Sequence, residues 1–199
     1  VDSKGRPVAA NEEGNIVIRL PMPPGTLAGL WGRADGYEKS YLTAFDGFYT
    51  TGDSGFLDEE GYVFVMGRTD DVINVAGHRL STGQLEEALA HHPAVAECAV
   101  IGVKDELKGQ RAAGFVTLKA GVTEDHKQIC DELVRLVRDK VGPVAAFRDV
   151  AVLARLPKTR SGKILRKTMR QIVDGEPVKV PPTIEDPTVL DDLRAVLGL

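Results

Sequence analysis

Gly67-Arg68-Thr69-Asp70-Asp71-Val72-Ile73-Asn74-Val75-Ala76-Gly77-His78-Arg79 divides the sequence into two parts with different patterns. Upstream, the chain reads as β-structure punctuated by turns. Asn15 to Leu20 alternates Ile16 and Ile18 and stops at Pro21, Pro23, Pro24 and Gly25. Phe56-Leu57 and Tyr62 to Met66 flank Asp58-Glu59-Glu60-Gly61, where Gly61 suits the positive φ of a hairpin turn. A short helix is expected near Tyr37 to Leu42. Downstream, short strands and helices follow one another. Val72 to Val75 and Arg79-Leu80 read as strands around Ala76-Gly77-His78. Ser81, with Gln84 three residues on, carries a capping-box signature for a helix with Leu85, Ala88 and Leu89 on one face, halted at His92-Pro93. Val95 to Val103, Ala112 to Leu118 and Asp149 to Leu153 read as further strands. Thr123 is expected to cap a second helix, with Ile129, Leu133, Leu136 and Val137 at helical spacing and Gly142-Pro143 closing it. Ile164 to Val173 reads as a basic third helix, and a Pro-rich tail from Pro177 to Pro187 leads to a last helix at Leu190 to Val196. The section from Thr69 to Gly175 has the size of one α+β domain, and the section before it reads as the end of a preceding β-rich domain.

The chain has 199 residues, 43% hydrophobic and 27% charged, which argues for a globular chain and against disorder. Its net charge of -4 gives no support to nucleic-acid or polybasic membrane binding. No apolar run approaches the roughly 18–20 residues that span a bilayer. Cys98 and Cys130 match no metal spacing or disulfide framework, so a reducing compartment is the simpler expectation. The chain opens without an initiator Met on turn chemistry (Asp2-Ser3-Lys4-Gly5-Arg6-Pro7) and is expected to be a piece of a longer protein.

Three segments carry residue types suited to chemistry. In Tyr49-Thr50-Thr51-Gly52-Asp53, a carboxylate after Gly at a strand end offers two acceptors matched to the hydroxyl pair of a ribose. In Gly67 to Arg79, two Arg residues bracket an acidic pair and a Gly turn, and an Arg fork suits phosphate or hydroxyl oxygens. Leu156-Pro157-Lys158-Thr159-Arg160-Ser161-Gly162-Lys163-Ile164-Leu165-Arg166-Lys167 places a basic Gly loop at the expected opening of a helix, an anion-binding setting without the full Walker pattern. Against these stand plain readings: a Gly-Asp turn, surface ion pairs worth at most about 1 kcal/mol, and a solvated basic turn. His78, His91, His92 and His126 have no zinc spacing.

Together and in this order, the three strings resemble the acyl- and aryl-CoA synthetases of the adenylate-forming superfamily. Tyr49 to Asp53, Gly77-His78-Arg79 and Pro157 to Lys163 are similar to the short-chain, acetyl- and propionyl-CoA synthetase branch. Tyr37 to Leu42 and Thr183-Ile184-Glu185-Asp186-Pro187 lean toward propionate. The resemblance implies a small mobile C-terminal domain: a short hairpin, a central mostly antiparallel sheet and flanking helices. It would span residues 70–199 with its tail, after the end of a large N-terminal adenylation domain at 1–69. It implies an ATP-dependent acid–thiol ligase. A short-chain carboxylate, acetate or propionate, attacks the α-phosphate to give an acyl-adenylate, the small domain swings, and coenzyme A takes the acyl group.

The implied roles are specific. Asp53 and Arg68 hold the ribose, Arg79 touches phosphate, and Lys163 bridges the attacking carboxylate and the α-phosphate. Asp70 is the hinge. Gly77, with Ala76 and His78, faces the pantetheine channel, where a missing side chain lets the thiol pass, and Arg138 meets a coenzyme A phosphate. Ala90, His92 and Val95 match a metal-binding loop. ATP, Mg2+ and coenzyme A are the implied cofactors. The partners are the carboxylate, the missing N-terminal domain, and an acetyltransferase and deacetylase acting on Lys163; nucleic acid and membrane are not among them. Cytoplasm or mitochondrial matrix is the implied location. The phosphate loop and acyl pocket of the family are not in the sequence, so this chain alone is expected to be inactive. Two other readings are an adenylation domain loading a carrier protein and a non-catalytic nucleotide- or coenzyme A-binding module.

Overall fold

A computed structural model describes residues 1–199. The chain divides into two compact units, Val1–Asp70 and Asp71–Leu199.

The first unit is built on an antiparallel sheet of β1 (Gly14–Arg19), β2 (Phe48–Leu57) and β3 (Val63–Arg68), with β2 in the middle. A short helix, α1 (Ala34–Tyr41), precedes β2. The Tyr41 ring stacks on Tyr49 of β2 at 5.1 Å between centroids. The β2–β3 connection is the expected hairpin. Asp58 folds its carboxylate back onto the N–H groups of Glu60 (3.0 Å) and Tyr62 (2.8 Å), and Gly61 takes φ +88. The sequence reading starts this strand at Phe56, whereas β2 begins at Phe48. Its Gly and Asp residues are poor strand formers, but Asp53 is paired with Arg68 of β3, and Gly55 with Gly14 of β1 and Val65 of β3, and that pairing overrides local propensity. Asp53 therefore lies in mid-strand, not at a strand end.

The second unit is a mixed α/β layer structure. A five-stranded sheet combines the hairpin β4 (Val72–Val75) and β5 (His78–Ser81), the long hairpin β6 (Val95–Asp105) and β7 (Gly109–Leu118), and β8 (Asp149–Val152). All pairings are antiparallel except β8, which runs parallel to β7. Side chains alternate across β6 and β7, and helices cover both faces. On one face Val100, Ala112 and Val116 pack with Leu85 and Leu89 of α2 (Thr82–Ala90) and Ile129, Leu133 and Val137 of α3 (His126–Lys140). On the other, Ala99, Ile101, Ala113 and Phe115 pack with Met169 and Ile172 of α4 (Arg166–Val173) and Leu190 and Leu193 of α5 (Val189–Leu197). Coverage on both faces explains why these strands read as continuous apolar runs.

Three helix starts differ from expectation. Ser81 precedes α2 but its side chain makes no cap bond; its backbone is held in β5 opposite Val72. Asp125, not Thr123, caps α3, accepting from the Lys127 N–H. The third helix begins at Arg166 rather than Ile164, because Ile164 is bridged to Lys158. No helix is long and apolar enough to cross a membrane, and both cysteines are free.

Candidate functional site

The sheet of the first unit brings Asp53 and Arg68 directly opposite one another. The Arg68 Nη1 donates to Asp53 Oδ1 (3.3 Å) and to the Thr51 carbonyl (3.2 Å), and its Nε donates to Asp70 Oδ1 (3.3 Å). Arg68 thus ties the proposed ribose carboxylate to the proposed hinge residue. The guanidinium also lies over Gly52. That residue has φ +80, and a Cβ there would come within 2.6 Å of the Arg68 Nη2. The glycine is required twice, by its torsion and by the closeness of the fork. Thr51 and Thr69 brace the corner. Thr51 Oγ1 donates to the Ile16 carbonyl (2.7 Å), and Thr69 bonds the Gly52 carbonyl through its N–H (2.9 Å) and its hydroxyl (3.1 Å). Asp53 and Arg68 side chains remain about a third and a half exposed, so a ligand can reach them.

In the second unit, Ala76 (φ +49) and Gly77 (φ +89) form the two-residue turn between β4 and β5, with Val75 paired to His78. Positive φ at both central residues is the type I′ pattern that joins twisted strands. A Cβ on Gly77 would meet nothing within 4 Å in this chain, so its torsion is what this chain demands of it. His78 and Arg79 are exposed, Arg79 on the outer face opposite Asn74, while Ile73, Val75 and Leu80 turn inward.

Lys163 lies in a second, tighter hairpin. The Thr159 N–H donates to the Lys163 carbonyl (2.8 Å), the Gly162 N–H to the Thr159 carbonyl (2.8 Å), and the Lys163 N–H to Thr159 Oγ1 (3.1 Å). Gly162 takes φ +83 at the tip, and residues 160–163 are exposed. Lys163 therefore does not open a helix, as the sequence suggested; two residues separate it from α4, and its setting is a braced turn rather than a helix dipole. The loop's stem is sewn to the C-terminal tail. Thr159 bridges Ile184, the Arg160 N–H donates to the Thr183 carbonyl (3.0 Å), and the Glu185 N–H donates to the Lys158 carbonyl (2.9 Å). Lys158 also pairs with Glu97 at the start of β6. The Gly77 turn is tied by its Ala76 N–H to the Lys108 carbonyl at the β6–β7 turn. The two loops are thus anchored at opposite ends of the β6–β7 hairpin. The stretch from Glu97 to Asp105 spans roughly 26 Å at ~3.3 Å per strand residue.

Arg138 is exposed in the last turn of α3. The loop of Ala90, His92 and Val95 does not fit a metal through side chains. The His92 Nδ1 accepts from the Ala94 N–H (3.3 Å), which leaves Nε2 to donate to Glu132 Oε2 (3.0 Å), so neither ring nitrogen has a free lone pair. No group of three or more His, Cys, Asp or Glu could hold a metal ion. Sequence reasoning gave no site role to Thr51, Glu86, Arg166 or the tail segment Thr183–Glu185. Thr51, Arg166 and the tail residues stood inside quoted motifs but reveal their partners only in three dimensions.

The family description for the C-terminal domain of AMP-binding enzymes matches residues 84–163. The chain is 56% identical over 197 residues to an uncharacterized protein of Pseudomonas aeruginosa, covering 99% of this chain and 31% of that protein. It is 47% identical to the mitochondrial acyl-CoA synthetase short-chain family member 3 of Mus musculus (99% and 29%). It is 43% identical to the acetyl-coenzyme A synthetase of Pyrobaculum arsenaticum (98% and 29%). Among solved structures, it is similar to o-succinylbenzoate CoA synthetase of Bacillus subtilis in complex with its acyl-adenylate. That match has a TM-score of 0.67 at 28% identity and covers 82% of this chain and 31% of that one. The chain spans less than a third of the length of these relatives.

Proposed function

Because this chain belongs to the adenylate-forming, AMP-binding enzymes and carries their C-terminal domain, we propose that it is part of an ATP-dependent acid–thiol ligase acting on a short-chain carboxylate, acetate or propionate. In the first half-reaction a carboxylate oxygen bonds to the α-phosphorus of ATP while the bond to the β-phosphate oxygen breaks, releasing pyrophosphate. In the second, the coenzyme A sulfur bonds to the acyl carbon, the bond to AMP oxygen breaks, and the thiol proton is given up. Residues 1–69 would end the larger adenylation domain, with 70–199 swinging about Asp70 between the two halves.

What supports this reading is the placement of two exposed loops at opposite ends of one sheet. Lys163 stands on a turn braced along its stem, a suitable mount for a charge that must meet developing negative charge between carboxylate and α-phosphate. The Ala76–Gly77 turn, at the other end of the β6–β7 hairpin, serves the thiol half with His78. A rigid body with two working ends needs only rotation to exchange them. Asp53 and Arg68 would take the ribose hydroxyls, Arg79 a phosphate, and Arg138 a coenzyme A phosphate. Mg2+ enters with the triphosphate as part of the substrate; no step is assigned to the His92 loop. The exposed Lys163 amine also suits an acetyltransferase and a deacetylase, since acylation removes the charge that the first half requires. Two free cysteines suit a reducing compartment such as the cytoplasm or mitochondrial matrix.

The test is Lys163→Ala in the full-length protein. ATP–pyrophosphate exchange driven by the carboxylate should fall by about 100-fold or more, while thioester formation from supplied acyl-adenylate should persist. Equal loss of both halves would remove Lys163 from its assigned role.

A further inference from the structure

One charged cluster in the second unit is untouched by the roles assigned above. Arg166, the first residue of α4, donates Nη2 to both Glu86 oxygens (2.9 Å each) and Nε to Glu86 Oε1 (3.1 Å). The same Glu86 oxygen accepts the Val100 N–H of β6 at 2.8 Å. Asp71, the residue after the proposed hinge, brings Oδ2 within 4.0 Å of Arg166 Nη1. The side chains are largely withdrawn from water: Arg166 is 23% exposed, Glu86 17% and Asp71 25%. A bidentate arginine–carboxylate pair in such a setting fixes orientation as well as distance.

Its position gives that rigidity a use. Arg166 follows Lys163 by three residues, and the intervening chain is stiff. Ile164 is bridged to Lys158, and the Leu165 N–H donates to the Pro157 carbonyl (2.9 Å). The guanidinium thus joins the stem of the lysine loop to α2 and β6 through Glu86, and its other edge faces the residue next to the hinge. Building on the function proposed above, we infer that Arg166, held by Glu86, is a positioning residue for adenylate formation. It locks the Lys163 hairpin to the same frame that carries Asp71, so that rotation about Asp70 delivers the lysine amine to one fixed place. The Gly77 turn has an anchor of its own, from the Ala76 N–H to the Lys108 carbonyl (3.0 Å).

The experiment uses the full-length protein with Arg166→Lys and Glu86→Gln, and Lys163→Ala alongside. Arg166→Lys keeps the charge and loses the fork. Misplacement of a catalytic group by about 1 Å lowers rate by up to about 100-fold. The kcat of ATP–pyrophosphate exchange should therefore fall about 10- to 100-fold in Arg166→Lys, with the KM for ATP little changed and thioester formation from supplied acyl-adenylate retained. Hydrogen exchange at Gly162 and Lys163 should quicken in Glu86→Gln while exchange in the Ala76–Gly77 turn stays the same. Equal loss of both half-reactions, an unchanged exchange reaction, or a loop whose protection ignores Glu86 would each overturn the inference. Failure of the underlying reading is distinguishable: there Lys163→Ala itself would leave pyrophosphate exchange intact.

Discussion

Replacing Gly52 by alanine tests how the first unit shapes the Asp53–Arg68 corner. The substitution acts in two separable ways. An L-residue at φ +80 occupies the left-handed region, at about 1–2 kcal/mol. The new Cβ would also sit 2.6–2.9 Å from the guanidinium atoms of Arg68. Those atoms end a flexible side chain, so the fork moves away and gives up its bonds to Thr51 and Asp53. Both partners of that ion pair are substantially exposed, and solvent screening limits its loss to at most about 1 kcal/mol. The expected destabilisation of the first unit is therefore about 1–3 kcal/mol. It should be read by urea denaturation of this chain, followed through near-ultraviolet circular dichroism of the stacked Tyr41–Tyr49 pair. Trp31 is fully exposed and a poor reporter. In an Arg68→Ala background only the backbone part should remain, so the two substitutions should couple by a measurable fraction of 1 kcal/mol. Gly77→Ala, where φ is +89 and no atom lies within 4 Å of the new methyl, is the backbone-only comparison in the second unit. If Gly52→Ala costs the same with and without Arg68, the guanidinium does not press on this glycine and the argument fails.

Two further outcomes follow from packing and charge. Gly114 lies buried in β7 with a would-be Cβ 2.6 Å from Cζ of the buried Phe147, so Gly114→Ala should destabilise the second unit by about 1–3 kcal/mol through overpacking; Phe147→Leu in the same chain should recover part of it, and an unchanged denaturation midpoint in Gly114→Ala would refute the close contact. Asp186 accepts from the Thr188 hydroxyl (2.7 Å), the Thr188 N–H (2.9 Å) and Arg155 (2.8 Å), and these bonds, the hydroxyl foremost, hold its pKa at about 2. A depressed folded pKa means the contribution is present above the ordinary value of 3.8 and is lost as pH falls through about 2. Amide exchange at Glu185, corrected for intrinsic pH dependence, should therefore quicken across that window in the native chain and show no such step in Asp186→Asn; an identical step in both would dissociate the tail from this carboxylate.

Much of the second unit was legible in the sequence because its signals are local. The 3.6-residue spacing of Ile129, Leu133 and Val137 and the glycine turn after Val75, read through His78 although His78 already pairs with Val75 in β5, require only a few neighbours to take effect. The errors fell where distant partners compete with local preference. Asp53 to Gly55 became mid-strand because β3 pairs with all three and β1 with Ser54 and Gly55, which outweighs the low strand preference of Asp and Gly. Ile164 was taken out of the helix by Lys158 and the turn around Gly162. The capping signature at Ser81 lost its side-chain bond while the backbone of that residue entered a ladder.

The candidate site divides along the same line. Its residue types, Asp53, Arg68, Gly77, Arg79 and Lys163, are named by strings read along the chain, since short motifs preserve which chemical groups occur and in what order. What those groups touch depends on contacts between residues far apart in sequence. Glu86 and Arg166 meet across 80 positions, and Thr183–Glu185 joins the lysine loop only after the chain has passed through α4 and returned. Linear order carries torsional demands and periodicity, which act over a few residues. Clamps, orientation and the separation of the two loops come from packing around one sheet, and only the folded chain decides those.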